Sequence, residues 1–420
     1  MRPLLSLLKS GDYLTPARAR LWGGALIVAL ALTVVFLAAT ARGEGGYAPS
    51  DYAGRPLGTD FSNVYAAGRA ALAGDAAAPF DIVRQGAMER AIFGPHTQLY
   101  GWHYPPVFLL LAAPLAMLPY LPALALWLAA TLALYLLSIR LLLAGAPDLA
   151  RGRSWLFVAL GFTAVFVNFI HGQNGFLTAA LFAFGLALLD KRPLLAGIAF
   201  GLLCYKPQYF AVIPLVLLAS GRWRVLGAAA ATALAVSAAA TWLFGIEVWA
   251  AFFASAHFTR TVVLEQGNTG FAKMQSVFAA VRLMGGGVAL AYAAQALSAL
   301  IALVAAWRIW RGDAAREFQG AALCLAALLV TPYSMDYDLM ALAPAIALLV
   351  VQGRARGFAA WEISALTLLW ALPGLARTIA QHFGLPLMVP AMALALALVW
   401  RGAAAKRGAR REGAMNSAAW

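Results

Sequence analysis

Charged side chains are scarce in this chain. Of its 420 residues only 11% are charged and only 17 are acidic, whereas ordinary soluble domains carry roughly 25% charged residues. Hydrophobic residues make up 63% of the chain, which is more than a soluble globule can remove from its surface. The composition therefore excludes a soluble enzyme and predicts an integral membrane protein.

Cysteine and the common nucleotide- and metal-binding motifs are also scarce or absent. Cys204 and Cys324, the only cysteines, both lie in apolar runs, which excludes a disulfide framework and a cysteine metal site. The sequence has no P-loop, G-x-G-x-x-G motif, G-x-S-x-G elbow or H-E-x-x-H motif. We therefore expect no cofactor and no metal, and we attribute the excess of basic residues to membrane topology rather than to nucleic-acid binding.

Long apolar runs, interrupted by short polar turns, dominate what is present. They lie near residues 22–41, 121–143, 155–170, 174–190, 225–245, 287–310, 318–332, 338–351, 361–376 and 386–400. Several are shorter than the ~20 residues of a straight transmembrane helix, and broken helices are tolerated around internal cavities. We therefore predict an all-α, polytopic transmembrane bundle of about 10–13 segments in one membrane domain, with an uncleaved first helix.

Basic residues form clusters that fix the predicted orientation. The clusters surround Arg18, Arg153, Arg192, Arg222, Arg316 and Arg354, and a last one occupies residues 401–411. Placing them all in the cytoplasm puts both termini inside an inner (plasma) membrane and makes 194–218 a hairpin with Lys206-Pro207 at its outer tip. The first extracytoplasmic loop is then 43–103, the second large one is 246–286, and 401–420 is a basic cytoplasmic tail. Segment 104–119 spans the membrane, re-enters it or lies along its surface.

Asp60 is an unusual acid, because it follows the first apolar run closely and lies beside Ser62 and Asn63. It is the candidate catalytic residue. The alternative is an ordinary helix N-cap or a solvated loop acid. The helix that follows is locally amphipathic, so we expect Tyr65 and Leu72 to face lipid headgroups.

Three other outer turns carry candidate substrate-binding residues. His103 and Tyr104 belong to a Trp-His-Tyr-Pro-Pro segment, in which Trp102 and Tyr104 could be interfacial anchors. Gln173 and Asn174 lie in a glycine-flanked turn, where buried amides would need partners. Lys206 could neutralise an anionic phosphate, although snorkelling to the headgroups is the alternative.

A fourth turn, Thr331 to Asp338, carries two acids at i and i+2. Asp336 and Asp338, with Tyr337 between them, form a D-x-D pattern found in metal-dependent nucleotide-sugar enzymes. The pattern is too short to be specific, so we predict substrate binding rather than a metal site.

Taken in order, these motifs resemble glycosyltransferase family 87, a group of the GT-C superfamily. The resemblance covers roughly residues 55–350. It rests on the following residues: Asp60, Tyr104-Pro105-Pro106 with Pro114-Leu115, Gly172-Gln173-Asn174, Gly197 with Lys206-Pro207, Thr331-Pro332-Tyr333-Ser334 and Tyr337-Asp338. Relatives that mannosylate inositol lipids have histidines near Tyr337-Asp338, and this chain differs there.

The resemblance implies transfer of a sugar, mannose by family expectation, from a polyprenyl-phosphate donor to a lipid or glycan acceptor on the periplasmic face. It assigns the general base to Asp60. A polyprenyl phosphate already leaves well, so one base and a cation such as Lys206 suffice for an inverting, metal-independent displacement. The alternatives are a secondary transporter or sugar-lipid flippase, an oligosaccharide polymerase or ligase, and a non-catalytic scaffold.

Overall fold

A computed structural model describes residues 2–43 and 46–417, with side chains for residues 3–43 and 46–404. Residues 44–45 of the predicted first loop, and residues 418–420 of the predicted basic tail, lie outside the described residues. Within the described ranges the chain is helical, and its only β pairing consists of isolated bridges such as Met274 with Met335. The predicted all-α class is confirmed.

The first part of the chain carries one long helix and then a compact, helical loop. The helices are α1 Arg2–Ser10, α2 Pro16–Thr40, α3 Phe61–Leu72, α4 Ile82–Phe93, α5 Leu109–Leu115, α6 Tyr120–Leu142 and α7 Pro147–Arg151. Helix α2 begins where the Thr15 hydroxyl accepts a hydrogen bond from the Arg18 N–H and Pro16 occupies the first turn, as expected at a helix start. Gly23 is its only buried residue, which suits a helix in lipid.

The middle part consists mostly of short apolar helices. They are α8 Ser154–Leu160, α9 Thr163–His171, α10 Gly175–Leu188, α11 Pro193–Leu202, α12 Pro207–Phe210, α13 Val212–Ala219 and α14 Trp223–Phe244. Glycines allow these helices to approach closely: a Cβ on Gly185 would collide with Phe200. Small residues at helix contacts are typical of membrane bundles.

The last part contains the buried centre of the bundle. Its helices are α15 Glu247–Phe258, α16 Val277–Leu283, α17 Val288–Arg311, α18 Arg316–Val330, α19 Leu342–Arg356, α20 Glu362–Ala371, α21 Pro373–Phe383 and α22 Met388–Ser417. Short 3-10 turns lie at Ala78–Phe80, Pro106–Phe108, Leu143–Gly145, Leu203–Tyr205, Phe271–Lys273 and Asp336–Ala341, and a π-helix at Thr259–Glu265. Most residues of α18 and α19 are buried.

The described helices are those of a polytopic membrane protein. Five are long and apolar enough to span: Pro16–Thr40, Tyr120–Gly145, Trp223–Phe244, Val288–Arg311 and Asp336–Arg356. Two bent pairs, α8 with α9 at 54° and α20 with α21 at 74°, raise the number to seven if each pair is one span. The other apolar segments are shorter helices of 10–17 residues. Short and broken segments are therefore common, as predicted.

Three buried helices show that the polar turns and the basic clusters lie at opposite ends of the bundle. Helix α10 begins after Gln173 and ends before Asp190, which pairs with Arg222 at 2.8 Å and Arg316 at 2.7 Å. Helix α18 begins at Arg316 and ends beside Thr331. Helix α19 follows Asp336–Ala341 and ends at Arg356. We call the end with the polar turns the polar end and the other the basic end.

The segment 193–219 leaves the basic end and returns to it. Gly197 lies against Val225 and Ala228, and Gly201 lies against Ala229 and Thr232. Helices α11 and α14 are therefore parallel. Arg222 also donates to the Leu189 carbonyl at 3.2 Å, so both ends of the segment meet. Lys206 is at the far turn, in agreement with the hairpin prediction.

The prediction for the first loop was wrong in one respect. Helix α3 does not lie on the membrane surface, because residues 61–68 are all buried. Tyr65 is 7% exposed and its hydroxyl donates to the Leu118 carbonyl at 2.9 Å. Gly68 packs against Ala112 of α5, so segment 104–119 forms a short helix on α3. The loop is therefore packed into the fold and does not form an amphipathic segment on the membrane surface.

Candidate active site

A small cleft of about 70 Å³ opens at the polar end, where six separate segments of the chain converge. Most predicted site residues line it: Asp60, His103, Tyr104, Gln173, Lys206, Tyr337 and Asp338. Ligand sites typically bring a few polar groups together in this way. The prediction that these distant positions share one site therefore agrees with the geometry, whereas Asn174 and Asp336 do not line the cleft.

Asp60 stands at the N-cap position of α3 but does not cap it. Its side chain makes no hydrogen bond to the helix N–H groups, so the capping interpretation is wrong. Instead its Oδ2 accepts from Gln173 Nε2 at 2.9 Å and from Lys273 Nζ at 3.3 Å. The neighbouring Thr59 hydroxyl lies 2.6 Å from His171 Nδ1. A buried carboxylate is thus held in one orientation by side chains from two other turns.

The surroundings of Asp60 keep it ionised. Burial alone raises the pKa of this carboxyl, because it removes the charge from water. The positive charge of Lys273, the proximity of His171 and the hydrogen bond from Gln173 outweigh burial and lower the pKa below its ordinary value. Asp60 is therefore available to accept a proton near neutral pH.

Gln173 links Asp60 to a second side chain. Its Oε1 accepts from the Tyr104 hydroxyl at 3.0 Å while its Nε2 donates to Asp60. Tyr104 is therefore a hydrogen-bonding residue rather than only an anchor, and Trp102 is 2% exposed, so its anchor interpretation is wrong. Gly172 makes this turn possible, since it ends α9 at a φ of 60°, a conformation that favours glycine.

Asn174 is buried behind this turn. Both polar atoms of its side-chain amide lack a hydrogen-bond partner among the described residues. It is 2% exposed and does not reach the cleft. The structure therefore does not bring Asn174 to the cleft, and its contact with substrate stays a prediction.

Lys206 forms a buried ion pair with Asp338 on the other side of the cleft. The two side chains are 4% and 3% exposed, so the snorkelling interpretation is wrong. The Met335 N–H donates to the other Asp338 oxygen at 2.9 Å. Lys206 Nζ lies 5.8 Å from the centre of the Tyr337 ring, and Lys273 Nζ lies 5.5 Å from it. The Tyr337 ring therefore separates two lysine–aspartate pairs.

The two acids of the D-x-D pattern point in different directions. Asp336 Oδ1 accepts from the Tyr337 N–H at 2.9 Å, and Oδ2 lies 3.7 Å from Arg377. Because Asp338 is turned towards Lys206, the two carboxylates do not converge on a common point. Asp336 therefore faces helix α21 behind the cleft, and its contact with substrate stays a prediction.

His103 is a neutral side chain in the cleft wall. Its Nδ1 lies 2.9 Å from the Thr259 hydroxyl. Burial lowers the pKa of His103 to about 4, although the nearby Asp60 opposes this and Lys273 reinforces it. His103 is therefore uncharged at neutral pH, and it can hydrogen-bond a substrate without adding charge to the cleft.

Lys273 is the residue that sequence reasoning missed. A β bridge between Met274 and Met335, with the Gln275 N–H donating to the Ser334 carbonyl at 2.7 Å, fixes it beside the 331–338 turn. A signal was present in the sequence: Lys206 and Lys273 are the only lysines outside the basic clusters. The same reasoning that selected Lys206 could have selected Lys273.

A buried acid, Glu89, supports the cleft wall from behind. It accepts from the Tyr100 N–H at 2.9 Å and from Gln85 Nε2 at 3.0 Å. Gln85 also donates to the Asn63 carbonyl at 3.3 Å, and Asn63 donates to the Tyr100 carbonyl at 3.3 Å. Asn63 and Tyr100 line the cleft, so this network fixes their positions relative to Asp60.

A second depression, the side groove, adjoins the cleft. It has a volume of about 480 Å³ and runs between Phe80, Ile82 and Trp102 on one side and Ala251, Ala254 and Phe258 on the other. Its lining is mostly apolar. His103 belongs to the lining of both the groove and the cleft, so the two spaces meet there.

Comparison with known proteins gives one match. The sequence model of glycosyltransferase family 87 matches residues 102–332, which is more than half of the chain. The matched part contains Gln173, Lys206 and Lys273, whereas Asp60 and Asp338 lie outside it. No curated protein and no solved structure matches the chain.

Proposed function

We propose a reaction for this chain from one premise: it belongs to glycosyltransferase family 87 and is therefore a membrane glycosyltransferase. In our proposal it moves a hexose, mannose by family expectation, from a polyprenyl-phosphate donor to a lipid or glycan acceptor. The reaction takes place at the periplasmic face of the inner membrane, inverts the anomeric carbon and needs neither metal nor cofactor. This premise disfavours the transporter, flippase and scaffold alternatives.

The observation that carries the proposal is the environment of Asp60. A buried, ionised carboxylate lies in a cleft, held by Gln173 and Lys273, and it makes no hydrogen bond to its own helix. A helix cap or a structural ion pair does not need an opening onto such a cleft. A general base must be fixed within reach of an acceptor hydroxyl. In our proposal Asp60, which lines the cleft, is that base.

The proposed chemistry is a single displacement. The acceptor hydroxyl gives its proton to Asp60 while its oxygen attacks the anomeric carbon of the sugar. The bond from that carbon to the phosphate oxygen breaks, and the electron pair leaves with the polyprenyl phosphate. Because attack and departure occur on opposite faces, the configuration inverts. Asp60 is a weak base, but a good leaving group makes modest assistance sufficient.

Two lysines can offset the negative charge of the leaving phosphate. Lys206 remains the proposed phosphate contact, and Lys273, which lines the same cleft, is the cation nearest to Asp60. Each already has a carboxylate partner, so the phosphate would share the lysine rather than meet a free charge. Fixed cations at the position where charge develops stabilise a transition state more than a ground state.

The test is sugar transfer by purified protein in lipid vesicles, with labelled polyprenyl-phosphate mannose and a lipid extract as acceptor. We expect transfer from this donor and none from a nucleotide sugar. Asp60→Asn should lower the turnover number by about 10²–10⁴-fold, as for loss of a general base. Full turnover by this variant would remove Asp60 from the proposed role.

The sugar and the acceptor can be identified in cells. A deletion strain should lack one mannosylated lipid or glycan, and the complete chain should restore it while Asp60→Asn does not. A missing product with a different sugar would correct the sugar and leave the mechanism intact. An unchanged lipid and glycan profile would count against transfer by this protein.

A further inference from the structure

We propose that the side groove binds the isoprenoid chain of the donor and delivers its phosphate to the cleft at His103. This inference rests on the proposed function, because it assumes a polyprenyl-phosphate donor. Three properties of the groove support this assignment: its position, its connection to the cleft and the chemistry of its lining.

The groove lies where a long apolar helix ends. Helix α14 is long enough to span a membrane, and α15, one wall of the groove, begins at Glu247, shortly after α14 ends at Phe244. Trp242 is 84% exposed and Ile246 is 65% exposed at this junction. Exposed indole rings are enriched at the boundary between lipid and water. We infer that the groove opens at the membrane surface, which a lipid can enter from the bilayer.

The lining suits a hydrocarbon chain. The Phe80 ring contacts Phe252 of α15, with ring centres 5.9 Å apart, and so closes the floor between the two walls. The two charged residues of the rim are already engaged: Asp81 caps α4, and Arg84 pairs with Asp75. An apolar ligand can therefore fill the groove without stripping water from an unpaired charge.

The connection to the cleft favours the donor chain over the acceptor lipid. In a polyprenyl phosphate the chain is bonded directly to the phosphate, so its groove must begin beside the cations that bind the phosphate. His103 meets this condition, because it lines both the groove and the cleft, and Lys273 lines the same cleft. In a glycolipid acceptor, sugar units separate the lipid from the reacting hydroxyl, so no adjoining groove is needed.

The experiment compares donors of different chain length. Ala254→Trp places an indole in the groove, whereas Ala256→Trp places the same ring on the other side of α15, at an exposed position outside the groove. Each variant and the wild type are assayed with a long-chain and a short-chain polyprenyl-phosphate mannose. Because both donors carry the same head group, a difference between them reports only on the chain.

We expect Ala254→Trp to raise the KM for the long-chain donor at least about tenfold, which corresponds to losing the burial of roughly two methylene groups. The KM for the short-chain donor and the turnover number should stay within about twofold. Ala256→Trp should behave like the wild type with both donors. Equal losses with both donors, or equal effects of the two variants, would overturn the assignment of the groove.

A binding measurement separates this inference from the proposed function. Polyprenyl phosphates without sugar, one long and one short, are titrated into the wild type and Ala254→Trp, and native mass spectrometry measures the bound fraction. A preference of the wild type for the long chain that Ala254→Trp abolishes supports the groove, whether or not sugar is transferred. No preference in the wild type overturns it. Absence of transfer from every donor contradicts the proposed function alone.

Discussion

Lys273 Nζ lies 3.3 Å from Asp60 Oδ2, although 213 residues separate the two in the chain. This contact is one of two acid–cation pairs in the lining of the cleft, and the pair of Asp338 with Lys206 is the other. Asp336 lies near Arg377 behind the cleft. The cleft therefore holds both signs of charge in balance. An anionic donor can bind only by sharing a cation with an acid, which couples donor binding to the state of Asp60.

Replacing Lys273 by Met should change the pH dependence of the reaction. Lys273 helps to keep the pKa of Asp60 low, so its loss should raise that pKa. Because Asp60 acts when deprotonated, activity is lost as pH falls through its pKa, and the acidic limb should move to higher pH. The turnover number at neutral pH should fall about 10²-fold. The measurement is kcat/KM as a function of pH.

Lys273→Arg is the matched control. It keeps the positive charge beside Asp60, so the acidic limb should stay near its wild-type position even if turnover falls. An acidic limb that stays in place in Lys273→Met would show that this lysine does not control Asp60. A folding defect would appear instead as an equal loss of activity at every pH.

Single and double variants of the ion pair Lys206–Asp338 should differ in the stability of the fold. Lys206→Ala leaves Asp338 buried and unpaired, which should destabilise the fold by about 3–5 kcal/mol. The double variant Lys206→Gln with Asp338→Asn keeps a hydrogen-bonded neutral pair and should unfold near the wild-type temperature. If Lys206 contacts the phosphate, this double variant should still raise the donor KM about tenfold or more.

Asp338→Asn tests the proposed contact of Lys206 with the donor phosphate by changing the other member of the ion pair. It leaves Lys206 charged and removes the carboxylate that competes with the donor, so the donor KM should not rise. Thermal unfolding in detergent and donor KM are measured for all three variants. A donor KM that is equal in the wild type and in the stable double variant would remove Lys206 from the phosphate site.

The pKa of Glu89 predicts how the free energy of unfolding depends on pH. Burial raises the pKa of Glu89 from 4.5 to about 7, and the hydrogen bonds from Tyr100 and Gln85 offset it only in part. The folded protein therefore holds this proton more tightly than the unfolded chain does. The resulting stabilisation is complete below about pH 4.5, is lost as pH rises through about 7, and amounts to roughly 3 kcal/mol.

Glu89→Gln should remove this dependence, because the amide does not titrate. The unfolding temperature of the wild type should fall between pH 4.5 and 7 relative to that of the variant. Glu89→Asp is the control that still titrates. Parallel pH profiles for wild type and Glu89→Gln would contradict the assignment.

The sequence carried enough information for the helices and for much of the site. Apolar runs located the long helices, because burial in lipid demands continuous apolar side chains. The basic clusters predicted the hairpin at Lys206, because placing all of them on one side of the membrane requires segment 194–218 to cross it and return. Most of the predicted site residues share one cleft for the same reason: polar side chains in an apolar chain are retained mainly where they have a partner.

Other features depended on tertiary contacts that no local pattern encodes. The helix after Asp60 looked amphipathic, yet α3 is buried because α5 covers it through Gly68 and Ala112. Lys273 reaches Asp60 only through the bridge between Met274 and Met335. Asp336 and Asp338 are two residues apart but belong to different ion pairs, which depends on Arg377 and Lys206 rather than on their spacing.

The orientation of the molecule gives the last prediction. The cleft lies at the polar end of the bundle, and Asp190 lies at the basic end. The cleft therefore faces the periplasm if the basic end faces the cytoplasm. With Cys204 and Cys324 replaced, a cysteine at Asn268, which is exposed near the cleft, should react with an impermeant maleimide on intact cells. A cysteine at Lys191, exposed at the basic end, should react only after the membrane is opened. The reverse pattern would place the cleft in the cytosol, away from any carrier presented at the outer leaflet, and would contradict the proposed donor whatever the activity of Asp60 variants.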